Sequence, residues 1–235
     1  MNVAATGQHV VITGAAGALG RAAVQFFEAQ GARLALLDHH LDKLQSTFAG
    51  IDTARHVLLE VDVTSAASAA QAGQGALAHL GHVDALVHIA GGFDMGPAVH
   101  ELSREAWTHM MDLNAWSFAA VTQAFVPSMV QRGSGSVVAV SAKTATRGLA
   151  AMSAYIASKS ALQRLVEASA AELAPHGIRV NSIAPSVLDT PANRAAMPDA
   201  DRSAWIPTDV AAATIGYLVS PAAAALFGQH LALGA

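Results

Sequence analysis

The sequence predicts an α/β fold, a parallel sheet with helices packed on both of its faces. Three observations lead there. Seven β-branched or Leu-rich runs recur along the chain, "HVVIT", "RLALLD", "HVLLEV", "DALVHIA", "GSVVAVS", "IRVNSIA" and "HLALG". Ala-rich helical stretches lie between them, a βαβα rhythm. The runs are apolar on both faces, which is what strands covered by helices on each side require.

The first run, residues 9–13, passes directly into "TGAAGALGRAAVQFF", so Gly14, Gly17 and Gly20 fall between a strand and an Ala-rich helix. Glycines there allow a tight turn, backbone approach to a pyrophosphate and close helix packing, while the free N–H groups of the new helix face the anion. A Gly-rich turn alone is weak, and its strand-turn-helix setting gives it weight. The second run ends at Asp38, 18 residues after Gly20, about where an acidic group meets an adenosine ribose. A carboxylate there accepts from the 2′- and 3′-hydroxyls and repels a 2′-phosphate, which favours NAD(H) over NADP(H). The competing role for Asp38 is to cap the next helix, and His39 and His40 beside it could become cationic near a phosphate. The third and fourth runs end at Asp62 and Val63 in "EVDVT" and at "HIAGG", residues 88–92. Carboxyl ends of parallel strands are where such sheets bind ligands.

After the fifth run comes "SAYIASK", residues 153–159, in which Tyr155 and Lys159 share one helix face. Alone, that spacing says no more than a decorated helix edge. Residues 186–209, "SVLDTPANRAAMPDADRSAWIPTD", follow the sixth run and break the rhythm with Pro, Asp and Ala. They read as an elaborated loop with one short helix, placed where a lid over a ligand would go.

At 235 residues without a linker-like stretch, the expected organisation is one domain. Only 13% of residues are charged, yet the apolar runs are broken well short of a membrane span, so a soluble protein is expected. The opening "MNVAATGQHVVITG" lacks the features of an export signal, which points to the cytoplasm. The absence of cysteine removes disulfides, thiolate nucleophiles and Cys-type zinc sites together. Eleven histidines, among them His39-His40 and His79/His82, form no H-E-x-x-H set and read as solvated surface residues, so no metal is expected. A net charge of −4 without Lys/Arg clusters argues against nucleic acid and anionic membranes and leaves a small-molecule partner.

These residues together resemble the short-chain dehydrogenase/reductase family over essentially the whole chain from His9. The resemblance is carried by "TGAAGALG", Asp38, "DV" at 62–63, "AGG" at 90–92, Asn114 in "DLNAW", Tyr155 with Lys159 as Y-x-x-x-K, and "NSIAPS" leading to Thr190. It implies a doubly wound (Rossmann) sheet of about seven parallel strands and hydride transfer between a nicotinamide and a carbonyl, alcohol or related C=N centre. It implies a cofactor held by Gly14, Ala16, Gly17, Leu19, Gly20 and Asp38 at one end. Asp62, Val63, Ala90 and Gly91 would line its middle, and Tyr155, Lys159, Pro185, Val187 and Thr190 its nicotinamide end. Tyr155 would be the general acid or base, Lys159 would tune it and hold ribose hydroxyls, and Asn114 would position a relay water. A unit charge about 4 Å away at an effective dielectric near 20 is worth roughly 4 kcal/mol, or about 3 pKa units, enough to bring a phenol from about 10 to near 7. Association through the helices carrying Asn114 and Tyr155, as a homodimer or homotetramer, is a further implication.

The sequence departs from the family pattern at four places. Ala18 stands where the family's middle glycine falls, Ile89 replaces the asparagine before "AG", and Pro185-Ser186 replaces P-G. The family serine thirteen residues before the tyrosine falls on Ala142, with Ser141 one place early. One step along an extended strand turns a side chain to the opposite face, so Ser141 is a doubtful substitute, and Lys143 or Thr144 could supply the hydrogen bond instead. Local similarity to dihydropteridine reductases, in "AK" at 142–143, "AGG" and "LDTPANRAAMPDADRSAWIP", makes the missing hydroxyl intelligible, since a quinonoid dihydropterin needs hydride and a proton but no serine. An NADH-dependent dihydropteridine reductase and a non-catalytic dinucleotide-binding scaffold are the alternatives to a carbonyl/alcohol oxidoreductase.

Overall fold

A computed structural model describes residues 7–234. Of the opening stretch read above for an export signal, residues 1–6 lie outside the described residues. Its central sheet has seven parallel strands in the order β3-β2-β1-β4-β5-β6-β9. They are β1 (His9–Thr13), β2 (Arg33–Asp38), β3 (Val57–Glu60), β4 (Ala85–His88), β5 (Gly135–Val140), β6 (Ile178–Pro185) and β9 (His230–Leu233). Each falls on one of the seven apolar runs, β6 reaching one residue beyond its run to Pro185. The chain builds outward from β1 in one direction and resumes on its other side at β4, leaving a crevice between the carboxyl ends of these two strands.

Strand alternation decides which helix each residue meets. On one face Val11, Ala35, Leu37, Leu86 and Val137 pack on α3 (Ala66–Leu80), α5 (Ser117–Arg132) and α6 (Ser153–Leu173). On the other, Val10, Ile12, Leu34, Leu36 and Val87 pack on α1 (Ala18–Ala29), α2 (Leu41–Thr47) and α8 (Thr208–Val219). Both faces are buried, and each fully buried Leu or Ile contributes about 1.5–3 kcal/mol. A shorter helix, α4 (Arg104–Met111), continues into α5 through a π-helical turn, Asp112–Trp116. Beyond β6 the irregular stretch holds β7 (Leu188–Asp189), α7 (Pro191–Ala196) and β8 (Ile206–Pro207), with β7 and β8 paired in parallel. The one short helix expected in this stretch is α7.

The histidines correct a sequence expectation. His56 and His88 are buried rather than solvated. His56 Nδ1 accepts from Leu34 N at 3.1 Å while Nε2 faces Glu28 Oε1 at 3.5 Å. His88 bridges Thr13 Oγ1 at 2.9 Å and Ser117 Oγ at 3.1 Å, joining β1, β4 and α5. A neutral imidazole with both nitrogens partnered can be buried at modest cost. Among the described residues no helix is long and apolar enough to cross a membrane.

Candidate active site

The crevice at the carboxyl ends is a cleft of about 870 Å³. Its floor starts at the turn after β1. Gly14 has φ +68°, and a Cβ there would stand 2.8 Å from Ala90 N. A Cβ on Gly20 would meet the carbonyl oxygens of Gly14 and Ala15, so only glycine lets α1 pack against its own entry turn. Gly17 is the N-cap of α1 and supplies no side-chain hydrogen bond. The first N–H groups of α1 therefore remain free for an anion. Gly14, Ala16, Gly17, Leu19 and Gly20 all line the cleft.

At the end of β2, Asp38 also lines it. Its Oδ2 accepts from Ala16 N at 2.9 Å and its Oδ1 from His39 N at 2.9 Å. These bonds fix the carboxylate beside the glycine turn and leave each oxygen further acceptor capacity. Asp38 does not cap α2, whose N-cap His40 makes no side-chain cap bond. His39, weighed from the sequence as a cation near a phosphate, lines the same end of the cleft, together with Arg21 and Lys43, neither of which was singled out from the sequence. Asp62 and Val63 form the next stretch of wall. The Thr64 hydroxyl and amide donate to Asp62 Oδ1 at 2.6 and 2.9 Å and hold that carboxyl below its ordinary range. An uncapped helix N-terminus at one place and a fixed carboxylate at another suit the pyrophosphate and adenosine ribose of a dinucleotide.

Ala90 and Gly91 line the far side. Asn114 sits in the π-turn, 1% exposed, and clamps Gly92 from both sides: Oδ1 accepts from Gly92 N at 2.9 Å and Nδ2 donates to Gly92 O at 3.0 Å. Nδ2 also reaches Ser158 Oγ at 3.1 Å, one position before Lys159. The π-turn is what puts Asn114 here, and such single-turn bulges favour functional sites. A Cβ on Gly91 would stand 2.8 Å from Asn114 Oδ1 and 3.1 Å from Lys159 Nζ. The ammonium and the amide thus both stand close behind Gly91, which lines the cleft, although neither Asn114 nor Lys159 is itself part of the lining. Lys159 Nζ donates to Val140 O at 2.9 Å.

Electrostatics overturn the simplest expectation for the tyrosine. Burial pushes the Tyr155 phenol up to about 12, and burial lowers Lys159 to about 8. The lysine charge alone would bring a phenol near 7; burial of the phenol itself reverses the sign, while the Lys159 ammonium spends its hydrogen bond on Val140 O. His88 is held neutral, lowered to about 3 by burial and then by the Lys159 charge. The Phe93 ring stands edge-on to Tyr155, centroids 4.9 Å apart, although Phe93 is 60% exposed. Tyr155 itself lines a small hollow with Asp94, Gly96 and Met110 rather than the large cleft.

Thr190 lines the cleft with Pro191 and Ala192, and its hydroxyl accepts from Asn193 N at the start of α7. Pro185 and Val187 lie outside that lining: Pro185 pairs with Leu233, and Val187 O accepts from Ile206 N at 2.8 Å. Ala142 is buried, and Ser141 Oγ donates to Lys159 O at 3.3 Å, facing the α6 backbone. Lys143 Nζ donates to Gly234 O at 3.0 Å. Ser158 and His88 were not legible as site neighbours, because both act through partners distant in sequence. Ser158 had one signal, its place between Tyr155 and Lys159.

Residues 8–201 match the family model for short chain dehydrogenase. The chain is 33% identical over 184 residues to sorbitol dehydrogenase of Cereibacter sphaeroides, covering 78% of this chain and 71% of that one. It is 32% identical to D-threitol dehydrogenase of Mycolicibacterium smegmatis, covering 97% and 91%. The crystal structure of gox2181 superposes with a TM-score of 0.92 at 24% identity, covering 98% and 95%, a likeness of fold. A glycine turn opening on an uncapped helix, a crevice at the switch in strand order and these matches agree: the chain belongs to the short-chain dehydrogenase/reductase family and is an NAD(P)-dependent oxidoreductase acting on alcohol or carbonyl substrates.

Proposed function

We propose that the enzyme uses NAD(H) in preference to NADP(H) and that Tyr155, Lys159 and Asn114 carry its chemistry. The observation that supports the chemistry most is the close approach of Lys159 Nζ and of Asn114 Oδ1 to Gly91, a residue of the cleft wall. A bound nicotinamide supplies or accepts the hydride. Tyr155, protonated at neutral pH, gives its phenolic proton to the oxygen of a reduced carbonyl, or takes one from an alcohol in the reverse direction. Lys159 stabilises the phenolate left behind and can hold ribose hydroxyls; Asn114 keeps the Gly91-Gly92 strand end in place. The Asp38 carboxylate, fixed by Ala16 N, accepts from the adenosine ribose and repels a 2′-phosphate, against the opposing pull of Arg21, His39 and Lys43. Residues 186–209 act as the lid of a single catalytic domain, with Thr190 contacting the cofactor.

The sorbitol and threitol dehydrogenase relatives favour a small alcohol or its ketone. A quinonoid dihydropterin is the second reading, favoured by one observation: Ala142 offers no hydroxyl, and Ser141 faces the α6 backbone. The test is an assay following NADH and NADPH consumption with polyols, small ketones and a quinonoid dihydropterin. We expect kcat/KM at least tenfold higher with NADH than with NADPH. Equal use of both would remove the Asp38 assignment, and turnover of none of these substrate classes would remove the substrate reading.

A further inference from the structure

We propose that His9, His82 and Asp84 form a binding site for a divalent transition metal, zinc above all, at the edge of the sheet opposite the dinucleotide cleft. His9 is the first residue of β1, and Asp84 immediately precedes β4. The cleft residues Gly14 and Ala90 follow the other ends of the same strands. One ligand atom from each of the three side chains lies within 4.8 Å of the others. The two imidazoles are already stacked, ring centroids 4.1 Å apart and inclined by 35°. His82 Nε2 is 3.3 Å from Asp84 Oδ2, and the same oxygen accepts from His9 N at 2.9 Å. His9 Nδ1 is buried with no hydrogen-bond partner, so the cluster contains a polar atom that the fold leaves unsatisfied.

Two imidazoles and one carboxylate are a ligand set for zinc, with a fourth position left to water. Zinc bonds of about 2.0–2.1 Å place tetrahedral ligands roughly 3.4 Å apart, so the set, within 4.8 Å here, must close by up to about 1.4 Å. His82, 39% exposed at its side chain, has the freedom to do so. Arg132 holds Asp84 Oδ1 at 2.8 Å, and the Arg33 charge also acts on His9. These cations oppose a dication and set the expected affinity in the micromolar range. The two imidazoles disfavour magnesium, which prefers an all-oxygen ligand set where this cluster supplies a single carboxylate. Bound metal would clamp the start of β1 to the turn between α3 and β4.

The test uses tag-free protein stripped with a chelator, titrated with zinc chloride and followed by thermal melting and calorimetry. One zinc per chain and a rise in Tm of about 5 °C at a hundredfold excess over Kd are expected. His82→Ala should abolish both while keeping NADH turnover, and His9→Gln should do the same. No zinc-dependent shift in the wild-type protein, a shift that survives His82→Ala, or an equal shift with magnesium would each overturn the proposal.

Discussion

At the amino ends of β1 and β4, the Asp84 carboxylate is met by Arg132, by the His9 amide and by His82, so its charge is answered three times. At the carboxyl ends of the same strands, Lys159 is 5% exposed and its ammonium has a single carbonyl for company, Val140 O. No carboxylate pairs with it among the described residues. At the amino edge the carboxylate is answered as a fold requires, and the one polar atom left over there is His9 Nδ1. The carboxyl edge keeps a desolvated cation that costs stability, which is the usual mark of a place where chemistry is done.

The largest effect should come from Tyr155→Phe. Loss of a positioned general acid costs about 10²–10⁴ in kcat. Because the change removes one oxygen from a side chain that does not line the cleft, NADH affinity should hold within about threefold by fluorescence titration. Retained turnover would end the proton-transfer role and with it the functional reading of the carboxyl edge.

Lys159→Met sharpens the contrast further, since it should abolish turnover and yet stabilise the protein. The Lys159 pKa falls from 10.5 unfolded to about 8 folded, so between those values the unfolded chain binds more protons and stability rises with pH. Below pH 8 the full cost is present, on the order of 3 kcal/mol. Methionine fills the same space without the charge, so chemical denaturation at pH 7 should show a gain of about 1–3 kcal/mol and no rise between pH 8 and 10. A variant less stable than wild type would show that the Val140 hydrogen bond outweighs desolvation.

Asp84→Asn should do the reverse at the other edge. It keeps the shape and removes the charge that Arg132 and His82 answer, for an expected loss of about 2 kcal/mol and several degrees of Tm. Turnover should stay within about twofold, because neither Asp84 nor its partners line the cleft. A fall in kcat as large as that of the lysine variant would erase the distinction between the two edges.

Much of this molecule was legible from sequence, and the limit lies in one kind of physics. All seven strands, the glycine turn and the place of Asp38 follow from local periodicity and spacing, which depend on neighbours a few residues away. Burial of ionisable groups depends on partners far along the chain. Buried His88 is satisfied by Thr13, 75 residues away, and by Ser117, 29 residues away. Asn114, carried on a π-turn, finds its amide partner in Gly92, 22 residues earlier. The phenol shift had the wrong sign because a charge can be read from a sequence and its desolvation cannot.

Ser141 is where the two kinds of reading meet, and Ser141→Ala should have the smallest effect. Strand parity places its side chain opposite that of Ala142, and the structure turns Ser141 Oγ onto the carbonyl of Lys159 at 3.3 Å. The long bond is worth about 1 kcal/mol or less to stability. It holds the α6 backbone at Lys159 and touches neither the phenol nor the cleft. The variant should therefore keep kcat within about threefold while lowering Tm by at most a few degrees. A hundredfold loss of kcat with unchanged Tm would mean that this hydroxyl turns toward substrate during turnover, and the carboxyl edge would then hold a fourth participant.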